Sequence, residues 1–242
     1  NNMKYSFFTV LFCAVNLNSI AQDSLPPNNR ISLAASSGFI FAHSKDVENT
    51  KASKPFGLQA DYAWRKTDSS TWKKFFGFPV QGLSVQYFNY DNNILGHALV
   101  AAYFIEPEIR FGNSAGMHIR SSIGGIWLSK PNRPGTNPDN NSYSTHLSAY
   151  LSLGLQPYVN IGKQWQLTVG STYRHTSNGG IKLPNKGINW ITGELMLSYF
   201  PKGRTPIKPL LGSYAQMPFK KYTRWDVWGL AALRGSDDAD NT

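Results

Sequence analysis

His175 and Ser177 stand two residues apart in the run His175-Thr176-Ser177-Asn178-Gly179-Gly180, which continues into Pro184-Asn185 and Gly187-Ile188-Asn189. Residues at i and i+2 of a β-strand project from the same face. An imidazole held beside a hydroxyl is the minimum equipment of an activated serine nucleophile. Upstream, Trp165, Leu167, Val169 and Tyr173 share the odd parity, with small Ser171 among them, while Gln166, Thr168, Gly170, Thr172 and Arg174 fill the even one. The candidate pair thus continues the apolar face. In a soluble sandwich that face would be the core, and in a membrane barrel it would meet lipid. Acyl-ester chemistry on a lipid-facing surface implies a substrate that is itself a lipid.

The rest of the chain supplies staves of the same kind. Phe56, Leu58, Ala60, Tyr62 and Trp64 alternate with Gly57, Gln59, Asp61 and Arg65. Leu147, Ala149, Leu151, Leu153 and Leu155 alternate with Ser148, Tyr150, Ser152, Gly154 and Gln156. Period-2 segments of this length are the mark of strands crossing an outer membrane. Eight are expected, near 31–43, 55–66, 80–90, 97–111, 117–129, 144–162, 164–177 and 189–201. The fold class is all-β, an antiparallel up-and-down transmembrane β-barrel of about eight strands.

Alternation alone also fits a soluble lipocalin-like barrel. The membrane reading is favoured by an aromatic content of 14% and by the N-terminus. Met3-Lys4 precedes a short apolar stretch, Tyr5 to Val15, and Ser19-Ile20-Ala21 offers small residues for signal-peptidase cleavage before Gln22. Residues 1–21 are therefore expected to be a signal peptide and 22–202 the barrel. The single cysteine, Cys13, falls in the leader, so the mature chain has no disulfide and no thiol chemistry. Residues 203–242 read as a Pro- and Lys-rich linker, one possible extra strand at Trp225 to Leu233 and an acidic tail. A ninth strand does not fit an even-stranded barrel, which suggests a piece of a longer protein.

A net charge of +10 raises nucleic acid as a partner. No basic helix or zinc-finger spacing accompanies it, so anionic lipid head groups are the better match. Lys51, Lys54, Lys73, Lys74, Lys130 and Arg133 could meet lipid phosphates if their loops are external, or could simply be solvated loop charges. His43, His97, His118 and His146 lack ligand-like spacing, so neither a metal nor any cofactor is expected. Glu106 and Glu108, with Arg110, read as a lumen charge network. The links at Gly112 to Gly116 and Gly162-Lys163 are tight, whereas Pro131 to Tyr143 is long and polar. Short turns are periplasmic in bacterial barrels, so the long loop and the 178–188 loop belong to the external end.

The run His175-x-Ser177-Asn178-Gly179-Gly180 followed by Pro184-Asn185-x-Gly187 resembles the signature of the lipid A 3-O-deacylase (PagL-type) family, with Tyr173-Arg174 leading into it. Gly38-Phe39, Leu95-Gly96 and Ile105-Glu106-Pro107 are similar to more distant relatives described as acyloxyacyl hydrolases. The resemblance implies an eight-stranded outer-membrane barrel that removes an ester-linked acyl chain from the lipid A of lipopolysaccharide. It implies a Ser-His-acid triad on the outer wall and no metal. Ser177 would be the nucleophile and His175 the general base. Asn178, Gly179, Gly180 and Asn185 would shape the loop and the oxyanion hole, where glycines let backbone N–H groups approach closely. Ser-Asn-Gly-Gly by itself would pass for an ordinary turn.

The carboxylate of the triad falls at position 189, which here is Asn189. Glu194 cannot replace it, because strand parity turns Glu194 inward and places it ~17 Å along an extended chain. An Asn can still orient the imidazole, as in Cys-His-Asn proteases, without stabilising the imidazolium by charge. The alternatives are a non-catalytic barrel that binds lipopolysaccharide or is structural, and a soluble periplasmic lipid-binding barrel.

Overall fold

The computed structural model describes residues 29–65 and 78–204. The leader at 1–21, Lys73 and Lys74, most of the 67–78 link and the 225–233 segment lie outside the described residues. Among the described residues nine strands are formed: β1 (Arg30–Phe41), β2 (Phe56–Trp64), β3 (Val80–Asn89), β4 (His97–Glu106), β5 (Glu108–Phe111), β6 (Ala115–Leu128), β7 (Leu147–Ile161), β8 (Trp165–Ser177) and β9 (Ile188–Tyr199). All pairings are antiparallel. The order runs β4-β3-β2-β1-β9-β8-β7-β6, and β4 also pairs with β6, closing the sheet. Strands β4 and β5 both pair with β6 and form one stave, divided at Pro107, which has no N–H for a ladder bond. The result is a closed eight-stave barrel. The expected uninterrupted strand over 97–111 is corrected only at that proline.

The two parities sort as a membrane barrel requires. Leu33, Leu83, Val85, Leu153, Val169 and Leu195 project outward, each more than half exposed. Asp61, Glu106, Arg120, Arg174 and Glu194 point into the lumen and are buried. A soluble barrel would reverse this, because a continuous apolar exterior is costly in water. Exposed aromatics gather near both ends of the wall, with Phe39, Phe41, Phe56 and Trp127 at one and Tyr62, Phe111 and Trp165 at the other. Such girdles match the two membrane interfaces.

The lumen is filled in two ways. Towards the short-turn end, Arg120 bonds Asp61 (2.6 Å) and Glu106 (3.0 Å), and Arg30 bonds Glu106 (2.7 Å). Glu108 takes Arg65 (2.8 Å) and Arg110 (2.9 Å), as the sequence suggested for this pair of glutamates. Towards the long-loop end the lumen becomes apolar, with Trp190, Phe88, Tyr90, Tyr150, Leu128 and Ile188 packed together. Phe88 and Tyr90 meet the Trp190 indole edge-on, at 5.5 and 5.6 Å between ring centroids. The lumen is thus polar towards one end and apolar towards the other. A polar filling needs partners for every group; the aromatic plug carries few polar groups, of which the Tyr90 hydroxyl and the Trp190 Nε1–H are buried without a hydrogen-bond partner among the described residues.

Those loops are tied to one another. Lys186 and Gly187 donate their backbone N–H groups to Asn141 and Ser142 carbonyls at 3.0 and 2.7 Å. Asn49 donates to the Asp139 carbonyl (3.0 Å), and Asn137 to that of Ile94 (3.0 Å). The Tyr143 hydroxyl donates to the Leu95 carbonyl at 2.6 Å. Burial pushes that phenol above its ordinary range, so it keeps the proton it donates. The 131–143 and 178–188 loops thus lie at the same end, opposite the tight turns at Gly112 and Gly162, both in left-handed backbone.

Candidate functional site

Strand β8 delivers His175 and Ser177 to the outer wall at its long-loop end. Both are half-buried, whereas Arg174 and Thr176 between and beside them are buried in the lumen. The parity read from the sequence is the one formed. The β8–β9 register sets His175 directly opposite Asn189. Their side chains meet: the His175 Nδ1–H donates to Asn189 Oδ1 at 2.6 Å. The Tyr173 hydroxyl donates to the same oxygen at 2.8 Å, filling its second lone pair. Asn189 Nδ2 donates to His43 Nδ1 at 2.9 Å. With Nδ1 protonated, the neutral His175 ring carries its free lone pair on Nε2.

Beyond Ser177 the chain leaves the sheet and makes a compact loop. Gly179 and Gly180 both take positive φ (69° and 80°), which glycine adopts without penalty. The Gly179 N–H points to Ser177 Oγ at 3.4 Å. Three further loop donors are engaged within the loop. Gly180 N–H donates to Asn178 Oδ1 (2.9 Å), and Asn178 N–H donates to Asn185 Oδ1 (3.0 Å). The buried Asn178 amide donates to the Lys182 carbonyl (2.8 Å) and to Ser144 Oγ (3.3 Å). Asn178, Gly180 and Asn185 therefore build the loop, and Gly179 turns its backbone N–H to Ser177 Oγ.

Gly187 closes the site from the other side. At φ 75°, a Cβ added there would lie 2.8 Å from the Thr176 carbonyl oxygen, 3.2 Å from His175 Cε1 and 3.6 Å from Ser177 Cβ. Only a residue without a side chain lets β9 enter beside the imidazole. The His175 and Ser177 side chains are not hydrogen-bonded to each other in this structure. A ligand-free site often tightens such a contact only when substrate binds.

An open groove of about 640 Å³ runs along the wall from His175 and Tyr173, past Leu151 and Leu153, to Ile123, Tyr103 and Ile105. Its walls are almost wholly apolar, suited to hydrocarbon. Basic groups stand at the same end: Lys186 pairs with Asp46 (3.0 Å), Lys130 donates to the Asn93 carbonyl (2.9 Å), and Arg133 lies 3.5 Å from His146. Glu194 is absent from the site. It sits in the lumen against Arg174 at 2.9 Å, as parity required.

His43 is the neighbour that sequence reasoning missed. It lies two residues beyond the end of β1, continuing the outward parity of Phe39 and Phe41. Parity was legible from the sequence, but the β1–β9 register that brings His43 to Asn189 was not.

The family model described as Lipid A 3-O-deacylase (PagL) matches residues 58–199 of this chain. Among solved structures, the chain is similar to Neisserial surface protein A, at 7% identity, covering 71% of this chain and 96% of that one with a TM-score of 0.49. It is also similar to the outer membrane enzyme PagL, at 20% identity, covering 68% and 97% with a TM-score of 0.47. A third is the N-terminal β-barrel domain of Pseudomonas aeruginosa OprF, at 11% identity, covering 70% and 96% with a TM-score of 0.39. No curated protein matches.

Proposed function

The chain belongs to the lipid A 3-O-deacylase family of the outer membrane, and from that premise we propose that it cleaves an acyl ester of lipid A with Ser177 and His175, oriented by Asn189. In this reading His175 Nε2 takes the Ser177 proton as Oγ attacks the ester carbonyl carbon. The C=O π pair moves onto oxygen, and the Gly179 N–H, with the Asn185 amide beside it, stabilises the charge that develops there. Collapse breaks the bond to the sugar oxygen, which receives the proton from the His175 imidazolium. Water, deprotonated by His175, then attacks the acyl-serine carbonyl; the bond to Ser177 Oγ breaks, Oγ takes the proton back from His175, and the fatty acid leaves. The apolar groove takes the acyl chain, and the loop lysines face the phosphorylated sugar. The rule that short turns are periplasmic puts this end at the outer leaflet. A cleavable leader over 1–21 completes the proposal as the export route.

One observation carries it: on the lipid-facing wall, beside a serine, a histidine is held by its Nδ1 at 2.6 Å so that Nε2 is left to act as base. Mass spectrometry of lipid A from cells with and without the protein tests it. Loss of one hydroxyacyl mass with the wild type and none with Ser177→Ala is the expected result. Unchanged release with Ser177→Ala would exclude this nucleophile. A second reading, a barrel that binds lipopolysaccharide without cleaving it, draws on the amide at 189, which gives the imidazolium no charge partner. Binding of lipopolysaccharide with no change in lipid A mass would favour it.

A further inference from the structure

Resting on that reading of the site, we propose that His43 is a positioning residue, which fixes the Asn189 amide so that its oxygen faces His175. Three outward side chains on three adjacent strands or their extensions form one hydrogen-bonded row: His175 on β8, Asn189 on β9 and His43 beyond β1. Within it, Asn189 Oδ1 receives His175 Nδ1–H (2.6 Å), and Asn189 Nδ2 gives a hydrogen to His43 Nδ1 (2.9 Å).

The need for such a residue follows from replacing a carboxylate with an amide. A carboxylate presents acceptors at both ends and has no wrong way round. An amide has one, because a flipped Asn189 would offer N–H to His175 Nδ1. That arrangement selects the tautomer with its proton on Nε2, which cannot accept a proton from Ser177. Tyr173 cannot prevent the flip alone, since its hydroxyl donates to oxygen as readily as it accepts from nitrogen. His43 is biased where Tyr173 is not: its ring is exposed, so water accepts the Nε2–H and leaves Nδ1 to accept from the amide nitrogen on the side away from His175. Accepting from Nδ2 also polarises the amide and draws negative charge onto Oδ1, in the sense that strengthens a chain of hydrogen bonds. This offsets part of the missing carboxylate charge.

The full-length protein in detergent micelles, labelled with 15N-histidine, reports the His175 tautomer directly, with no need of turnover. In the wild type Nδ1 should carry the proton. In His43→Ala a substantial share of the Nε2–H form should appear, and His43→Gln, whose Oε1 can accept from Asn189, should restore the wild-type signal. Deacylation supplies the second measurement. His43→Ala should lower kcat by about 10- to 10³-fold with KM little changed, by analogy with the ~10⁴-fold cost of a wrong tautomer in a serine protease. The same substitution in an Asn189→Asp background should cost less than about threefold, because a carboxylate has no end to misplace.

An unchanged His175 tautomer in His43→Ala overturns the proposal, whatever the activity. A kcat penalty carried undiminished into Asn189→Asp also overturns it, since a merely structural His43 would behave that way. If the wild type shows the tautomer effect but no deacylation, the positioning role stands and the hydrolase reading falls.

Discussion

Asn189 faces His175 squarely across the β8–β9 ladder, and its Oδ1 lies 2.6 Å from the imidazole Nδ1. Fourteen residues and a loop separate the two in the chain, yet the register makes them direct cross-strand neighbours. A side chain in that place can hold the ring in one tautomer. Whether it also steadies a positive imidazolium depends on whether it carries charge, and an amide does not.

Asn189→Asp should therefore raise kcat. In a serine protease the opposite exchange costs about 10⁴-fold, so a gain of at least about tenfold is expected here, with KM nearly constant. Initial rates of fatty-acid release from purified lipopolysaccharide would show it. No gain would mean that the imidazolium already draws its stabilisation from another group.

Gly187→Ala should impair turnover while leaving a folded barrel. The left-handed backbone costs an L-residue about 1–2 kcal/mol, and the new methyl would press on the Thr176 carbonyl and the His175 ring. Displacing a reacting group by an ångström costs up to about 10²-fold. Heat-modified mobility on electrophoresis would verify the barrel, and the same release assay would give the rate.

Glu194→Ala should destabilise the barrel, since it leaves Arg174 buried in the lumen without its carboxylate partner. Removing one member of a buried ion pair costs about 3–5 kcal/mol. A lowered midpoint in urea titration of the barrel refolded into micelles would register that loss. Glu194→Gln, whose one amide oxygen can still accept from Arg174, should lose less.

Val85→Arg tests the exterior. Val85 lies at the middle of β3 with 61% of its surface exposed. An arginine at the bilayer midplane of a barrel costs about 2–4 kcal/mol. The variant should insert poorly into vesicles while remaining soluble in urea. Insertion equal to the wild type would place this wall outside the hydrocarbon.

Much of this was legible from residues 165–177, because parity along a strand is a local property. Once Trp165, Val169 and Tyr173 defined one face, His175 and Ser177 had to share it, and the same reasoning sent Glu194 inward to Arg174. The motif resemblance supplied position 189, which parity could place on the outer wall but could not bring next to His175. The aromatic plug is not legible in the alternation, which tells inward from outward but not how the two ends of the lumen are filled. Phe88, Tyr150 and Trp190 sit near strand ends, where the lumen is sealed by loops rather than by paired charges.

The sequence by itself determined which side chains look outward, where the chain turns, and which residue types could perform ester cleavage. Only the closed sheet decided the register in which β1 runs beside β9, carrying His43 to Asn189, and that Gly187 leaves room for the His175 ring. The physical reason is that alternation follows from pleating within one strand, a matter of neighbouring torsions. Register between strands far apart in the chain is set by closure, by the hydrogen-bond ladders that closure demands and by the packing of the lumen, none of which any single segment encodes.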